Sequence, residues 1–238
     1  MDSASGRPFL TARWSNLLLA SYVAPDYLLR RHLPPGLELD RRDGHTYVSL
    51  VAFDFLDTRV LGVRWPGLAD FPEVHLRFYV RSGAERGVVF VRELVPSRLV
   101  AAAARRLYNE PYRATPMGRS VRHDDGRIAV THRFAWEGRL HRFSAVASEP
   151  PCAASANGAE NFFKEHQWGF GVDRRGRTTR YEVRHPVWEI YPNAAAAVDV
   201  DFGSVYGPSW SFLTGSAPAS VVLAVGSPVA VFRGRRLE

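Results

Sequence analysis

The chain has 238 residues, 46% of them hydrophobic, and a formal net charge of +7 at pH 7. That length and apolar content suffice for one sizeable core, and without a Gly-, Ser- or Pro-rich linker a single domain over residues 1–238 is expected. No apolar run approaches the roughly 20 residues of a membrane-spanning helix, the brief run at 17–23 lacks the pattern of a secretory signal, and the single Cys152 excludes an intrachain disulfide, so the expected compartment is the cytoplasm.

In chain order, residues 25–33 read as a first helix: Pro25 and Asp26 open it, and Pro34 and Pro35 stop it. Residues 47–55, 74–80 and 87–94 are apolar and β-rich, and read as strands. A second helix fits 97–108, with Ser97 as N-cap, an alanine-rich body, and Arg105 and Arg106 in the last turn, where cations suit the helix dipole. Strands at 119–123 and 127–136 flank Asp124-Asp125-Gly126, a hairpin signal, and Gly138 separates them from a strand at 140–147. Asn157 and Glu160 have capping-box spacing for a short third helix ahead of Phe162 and Phe163. Strands at 168–172 and 178–185 flank Arg174-Arg175-Gly176, and strands at 187–191, 221–225 and 229–232 complete the set. Many short strands with few helices predict a mainly β (α+β) fold, a barrel or sandwich whose helices cover edges or a mouth.

Alternation sorts the polar side chains. In residues 73–80 the odd positions hold Glu73, His75, Arg77 and Tyr79, and the even positions Val74, Leu76, Phe78 and Val80. Either the polar face is solvated over a buried apolar one, or it lines a barrel interior, where Arg77 could fix an anion and Glu73 or His75 could exchange protons. His132 and His185 each sit in an apolar row, the usual place of a hydrogen-bonded core histidine. No nucleophile elbow, zinc-protease motif, cysteine pair or local histidine metal motif is present, so neither a metal nor a cofactor is expected. The arginines fall in scattered pairs such as Arg41-Arg42 and Arg235-Arg236, a pattern that favours a small-molecule ligand over nucleic acid or a membrane as partner. A homo-oligomer is compatible with all of this.

The order of several segments carries a resemblance. Trp14-Ser15-Asn16-Leu17-Leu18 precedes Leu33-Pro34-Pro35-Gly36-Leu37 and the strand Tyr47-Val48-Ser49-Leu50-Val51-Ala52-Phe53; Phe71-Pro72-Glu73-Val74, Arg77-Phe78-Tyr79-Val80, Gly87-Val88-Val89-Phe90 and an Arg105…Pro111-Tyr112 segment follow. Phe162-Phe163-Lys164-Glu165-His166 and His185-Pro186-Val187-Trp188 come near the end. From about Trp14 to about Tyr191 this set resembles the YqjF-like domain of unknown function, a branch of the acetoacetate decarboxylase-like superfamily. The resemblance implies an antiparallel β barrel or cone with peripheral helices and an internal pocket.

In the decarboxylases of that superfamily a lysine forms a Schiff base with a keto acid. Aligned by Arg105 and Pro111, that position falls here on Tyr112, which cannot form an imine. The single lysine, Lys164, sits beside Glu165 in a short helical segment and reads as a surface residue. Glu73 matches the glutamate that faces the decarboxylase pocket. The expectation is a pocket for a small acidic or carbonyl metabolite, without lysine Schiff-base chemistry, with His75, Arg77 and Arg105 as ligand contacts. On the same site, an enzyme (lyase, isomerase or hydrolase) using Glu73 as general acid/base with Tyr112 is the alternative, and an interaction or nucleic-acid module on the arginine surface a second one.

Overall fold

The computed structural model describes residues 6–155 and 158–237. Five strands of eleven to fourteen residues form most of one large sheet: Leu10–Val23, Tyr47–Val60, Phe71–Ser82, Glu85–Val95 and Ser220–Val231. They pair in the order Ser220–Val231, Leu10–Val23, Tyr47–Val60, Phe71–Ser82, Glu85–Val95, and continue through Trp168–Val172 to Thr178–Arg184. Two pairs, Val183 with Val231 and Arg184 with Ala230, join the last strand back to the first, so the ladder runs round a ring of seven strands.

The ring is not wholly antiparallel, as the family resemblance had implied. Trp168–Val172 runs parallel to Glu85–Val95, with Gly169 opposite Val88. The chain leaves the ring after Val95, builds the 98–108 helix and a second sheet, and re-enters in the same direction, which a parallel pair requires. Gly87 makes the junction possible, because a Cβ there would lie 2.4 Å from the Trp168 carbonyl oxygen.

The second sheet has the order Ala195–Asp199, Arg139–Ser148, Arg127–Trp136, Met117–Asp124. Its hairpin turns at Asp125 and Gly126, both with positive φ (44° and 70°), the type I′ geometry that the Asp-Gly pair favours. The apolar side chains Ile128, Val130, Phe134 and Phe143 pack on Val74, Leu76, Phe78 and Val80 of the ring. The ring wall is therefore buried on both faces, and the even positions of Phe71–Ser82 point outward into this inter-sheet core. Burying Leu76 and Phe78 completely contributes about 1.5–3 kcal/mol each.

Several elements differ from the sequence reading. The first helix spans only Asp26–Leu29, because the chain turns before Pro34. The helix at 98–108 is as expected: Ser97 Oγ accepts from Val100 N at 3.3 Å, and Asn109 closes it in the left-handed region with φ 55°. The third helix is Ala159–Lys164, with Gly158 at the N-cap; the expected cap Asn157 lies outside the described residues. Strand 187–191 shrinks to Glu189–Ile190, while 221–225 and 229–232 merge into one strand across Gly226. Gly226 has φ 86°, and a Cβ there would meet Trp14 O at 2.2 Å, so the kink needs glycine. Leu10–Val23, Ala195–Asp199, the helix Phe202–Tyr206 and the 3₁₀ turn Pro208–Leu213 had no counterpart in the sequence reading.

His132 is fully buried between the sheets, but neither ring nitrogen has a hydrogen-bond partner, contrary to the expected bonded core histidine. Burial and the Arg119 guanidinium push its pKa down to about 4. His185 lies just past its strand, stacked on Trp188 with ring centroids 4.0 Å apart. Among the described residues no helix is long and apolar enough to cross a membrane.

Candidate functional site

The inner face of the ring is set by strand register. Val51 pairs with His75, His75 with Glu93, and Glu93 with Tyr112, so one row of side chains crosses four strands. Glu73 stands two residues from His75 on the same face. The face carrying Glu73, His75, Arg77 and Tyr79 therefore points inward, and the first three line a cavity of about 440 Å³. Its walls are mostly apolar, with the aromatic rings of Phe53, Phe55, Phe71, Phe90, Trp168 and Trp188 among them. The helix Arg98–Tyr108 closes one side with Leu99, Val100, Ala103 and Ala104, and Lys164 at the end of Ala159–Lys164 contributes to another.

Glu73 is 2% exposed and occupied on both oxygens: Oε1 shares a 2.9 Å hydrogen bond with His75 Nδ1, and Oε2 accepts from the Tyr112 hydroxyl at 3.1 Å. Burial pushes its pKa up to about 8, against the opposing pull of the Tyr112 hydrogen bond and the Arg77 charge. Glu110 is also raised to about 8, by burial and then by Glu73. Glu93 is held well above the usual carboxylate range by burial, then by Glu110 and Glu73. Burial, and then the Arg77 charge, keep His75 and His166 well below the ordinary imidazole value. The Tyr112 phenol is raised by burial and by the neighbouring glutamates. This interior holds its acids and its imidazoles in their neutral forms near pH 7.

Arg77 lines the cavity, but its Nη2 donates to the Phe163 carbonyl at 2.9 Å. It therefore anchors the end of the 159–164 helix over the ring, and its capacity to hold an anion is reduced.

Two sequence expectations are corrected. Arg105 is exposed and lies outside the cavity lining; its Nη1 donates to Tyr112 O at 3.1 Å, because the last turn of the helix directs its cations outward. It supports the Tyr112 backbone from outside the cavity. Arg105→Ala should change ligand affinity less than about twofold and stability by about 0.5 kcal/mol, measurable by calorimetry and thermal melting.

Lys164 is not a surface residue. Its side chain is 0% exposed and is ion-paired with Glu165. The helix is short and ends on the ring, so Phe162, Phe163 and Lys164 are all buried.

Glu93, Glu110 and His166 were not singled out from the sequence. Strict alternation would place Phe90 and Glu93 on opposite faces. A bulge opposite Leu76 and Arg77 shifts the register and brings both inward.

The comparisons with known proteins agree with this architecture. The family model of DUF2071, an uncharacterized conserved protein, matches residues 11–228. The uncharacterized protein YqjF of Bacillus subtilis (strain 168) is 26% identical over 190 residues, covering 79% of this chain and 77% of YqjF. Among solved structures, the enduracididine biosynthesis enzyme MppR complexed with pyruvate superposes with a TM-score of 0.68 at 14% identity, covering 100% of this chain and 93% of MppR. Acetoacetate decarboxylase from Legionella pneumophila gives 0.63 at 12% identity, with 100% and 92% covered. An acetoacetate decarboxylase-like enzyme from Sphingomonas wittichii RW1 gives 0.61 at 14%, with 100% and 96% covered. At these identities the structural likeness speaks for the fold.

Proposed function

The chain belongs to the DUF2071 family, and we propose that its cavity takes a small neutral carbonyl compound with an apolar body and moves protons on it through Tyr112 and Glu73. The observation that carries this reading is the 3.1 Å hydrogen bond from the Tyr112 hydroxyl to Glu73 inside a largely apolar chamber. With Glu73 neutral, its Oε1–H donates to His75 Nδ1 while Oε2 accepts from Tyr112. A hydrogen-bonded chain thus leads from imidazole to carboxyl to phenol, and the phenol faces the cavity. Tyr112 can donate to a carbonyl oxygen as negative charge develops there, and Glu73 in its ionised form, which a pKa of about 8 keeps accessible, can take up the α-proton and return it.

An acidic ligand fits less well than a neutral one. Glu73, Glu93 and Glu110 share the chamber, and Arg77 is engaged by Phe163 O. The pyruvate held by MppR supports a carbonyl compound as the ligand class on this fold. A covalent lysine step is not part of the reading, because the family resemblance puts Tyr112 where the decarboxylases keep their lysine, and Lys164 Nζ is tied to Glu165.

The test is α-proton exchange in D₂O, followed by NMR, with neutral aryl ketones and with pyruvate as probes. Exchange of a neutral ketone should be accelerated by the protein and slowed about 10²–10⁴-fold by Tyr112→Phe and by Glu73→Gln. Exchange at the buffer rate for every ketone, or a borohydride-trapped pyruvate adduct on Lys164, would overturn the reading.

A further inference from the structure

We infer that Glu73, His75 and Glu93 form a binding site for one divalent transition-metal ion on the inner wall of the ring. One potential ligand atom from each residue lies within 4.8 Å of the other two. All three residues are at most 3% exposed and line the cavity. The 2.9 Å separation of Glu73 Oε1 and His75 Nδ1 is what two ligands of one small ion show when each bond is about 2.0–2.2 Å.

An independent observation points the same way. Among the described residues, Glu93 Oε2 is buried without a hydrogen-bond partner, as is Oε1 of Glu110 in the same cavity. Buried polar atoms are nearly always satisfied, so an orphaned carboxyl oxygen within the cluster marks a missing partner. Both orphans are carboxyl oxygens, which donate electron pairs, so the missing partner is an acceptor of electron pairs. A cation meets that requirement.

Charge gives the valence. A cation entering the cluster displaces the carboxyl protons; with Glu73, Glu93 and Glu110 then ionised and Arg77 as the nearby cation, two negative charges remain, which one divalent ion neutralises. One imidazole with carboxylates suits zinc, manganese or iron(II); calcium prefers an all-oxygen shell and copper(I) prefers sulfur. Three protein ligands leave coordination positions open toward the cavity.

The surroundings suit the assignment. The ligands stand on adjacent paired strands, with His75 directly opposite Glu93, so their spacing is fixed by the ladder. Tyr112 donates to Glu73 Oε2 and leaves Oε1 for the ion, the outer-sphere contact that orients a metal-ligating carboxylate. An ion here would sit within reach of a carbonyl oxygen in the chamber proposed above. Metal affinity itself does not depend on that reading, and Tyr112 keeps its place as proton donor in either case.

The experiment uses the full chain, stripped with EDTA and dialysed, then titrated with Zn²⁺ by calorimetry and with Co²⁺ by absorption spectroscopy. One ion per chain is expected, with a dissociation constant of about 1 μM or tighter and saturable Co²⁺ d–d bands. Glu93→Gln and His75→Phe should each weaken Zn²⁺ binding at least tenfold, while His132→Gln, at a buried histidine outside the cavity, leaves it unchanged. Circular dichroism melts establish that each variant is folded, and Glu73→Gln provides a third ligand variant should either of the first two unfold. Zn²⁺ affinity unaltered in the folded ligand variants, or no saturable Co²⁺ spectrum, would overturn the site. The titration contains no carbonyl compound, so its failure leaves the proton-exchange test of the cavity standing, and the reverse holds as well.

Discussion

Replacing Glu165 by alanine is expected to destabilise the protein by about 3–5 kcal/mol, whereas Lys164→Met at the same ion pair leaves stability within about 1–2 kcal/mol of the parent. The asymmetry follows from where the two charges sit. The Lys164 side chain is 0% exposed, while that of Glu165 retains 25%. Removing the carboxylate strands an ammonium in an aromatic interior. Removing the lysine returns Glu165 to partial solvent and replaces a buried amine by an apolar chain of similar length. Glu165 also accepts from the Trp188 amide at 3.3 Å, so its loss loosens the segment that carries the cavity-lining Trp188. Urea denaturation of the two single variants and the double variant measures the coupling directly. If Glu165→Ala costs no more than a surface substitution, the ammonium has another partner and the account of this lysine as a structural cation fails. The only lysine of the chain would then regain its claim to chemistry.

What the sequence made legible, and what it hid, can be traced to particular residues. The alternation of Glu73, His75, Arg77 and Tyr79 with Val74, Leu76, Phe78 and Val80 was plain, because strand periodicity is local. Which face turned inward was not plain, because it depends on the second sheet, whose Ile128, Val130 and Phe134 claim the apolar side. The Asp-Gly hairpin and the Ser97 cap were readable for the same local reason. Glu93 was hidden by a bulge, which is invisible to strict period-two counting. Glu110 and His166 reach the cavity from connections between elements, where no periodicity exists to assign a face, and Lys164 reaches it from the last turn of a six-residue helix. Lys164 also shows how a rule of composition fails. Lysine next to glutamate on a helix is ordinarily solvated, but a helix of six residues that ends on a barrel has no solvent side at its last turn. Tyr112, by contrast, was located through the ordered family segments, and the geometry places its hydroxyl on Glu73.

The metal-free protein, held in EDTA, is expected to be most stable near about pH 6 and to lose stability steadily through pH 8. The sign follows from the direction of each shift. Glu73 and Glu110 have folded pKa values raised from 4.5 to about 8, so between those values the fold holds protons that the unfolded chain has released. Their contribution is complete below pH 4.5 and is lost as pH rises toward 8, with a slope of about 1.4 kcal/mol per pH unit for each group. Glu93 acts in the same direction. The buried histidines act oppositely. His132 is lowered from 6.5 to about 4, and His75 and His166 lie well below 6.5, so below pH 6.5 the unfolded chain takes up protons first and stability falls with pH. Under pH 6.5 the two sets oppose each other; above it only the carboxyl groups act, and the alkaline limb belongs to them. Glu110→Gln should therefore raise stability by about 4–5 kcal/mol at pH 8 relative to the parent, with the difference shrinking toward pH 4. Denaturant melts of parent and variant across pH 4–9 provide the measurement, and parallel curves would show that Glu110 is ionised in the fold at neutral pH. Chelator is essential, because a cation among these carboxylates would stabilise the ionised form and flatten the limb that the prediction requires.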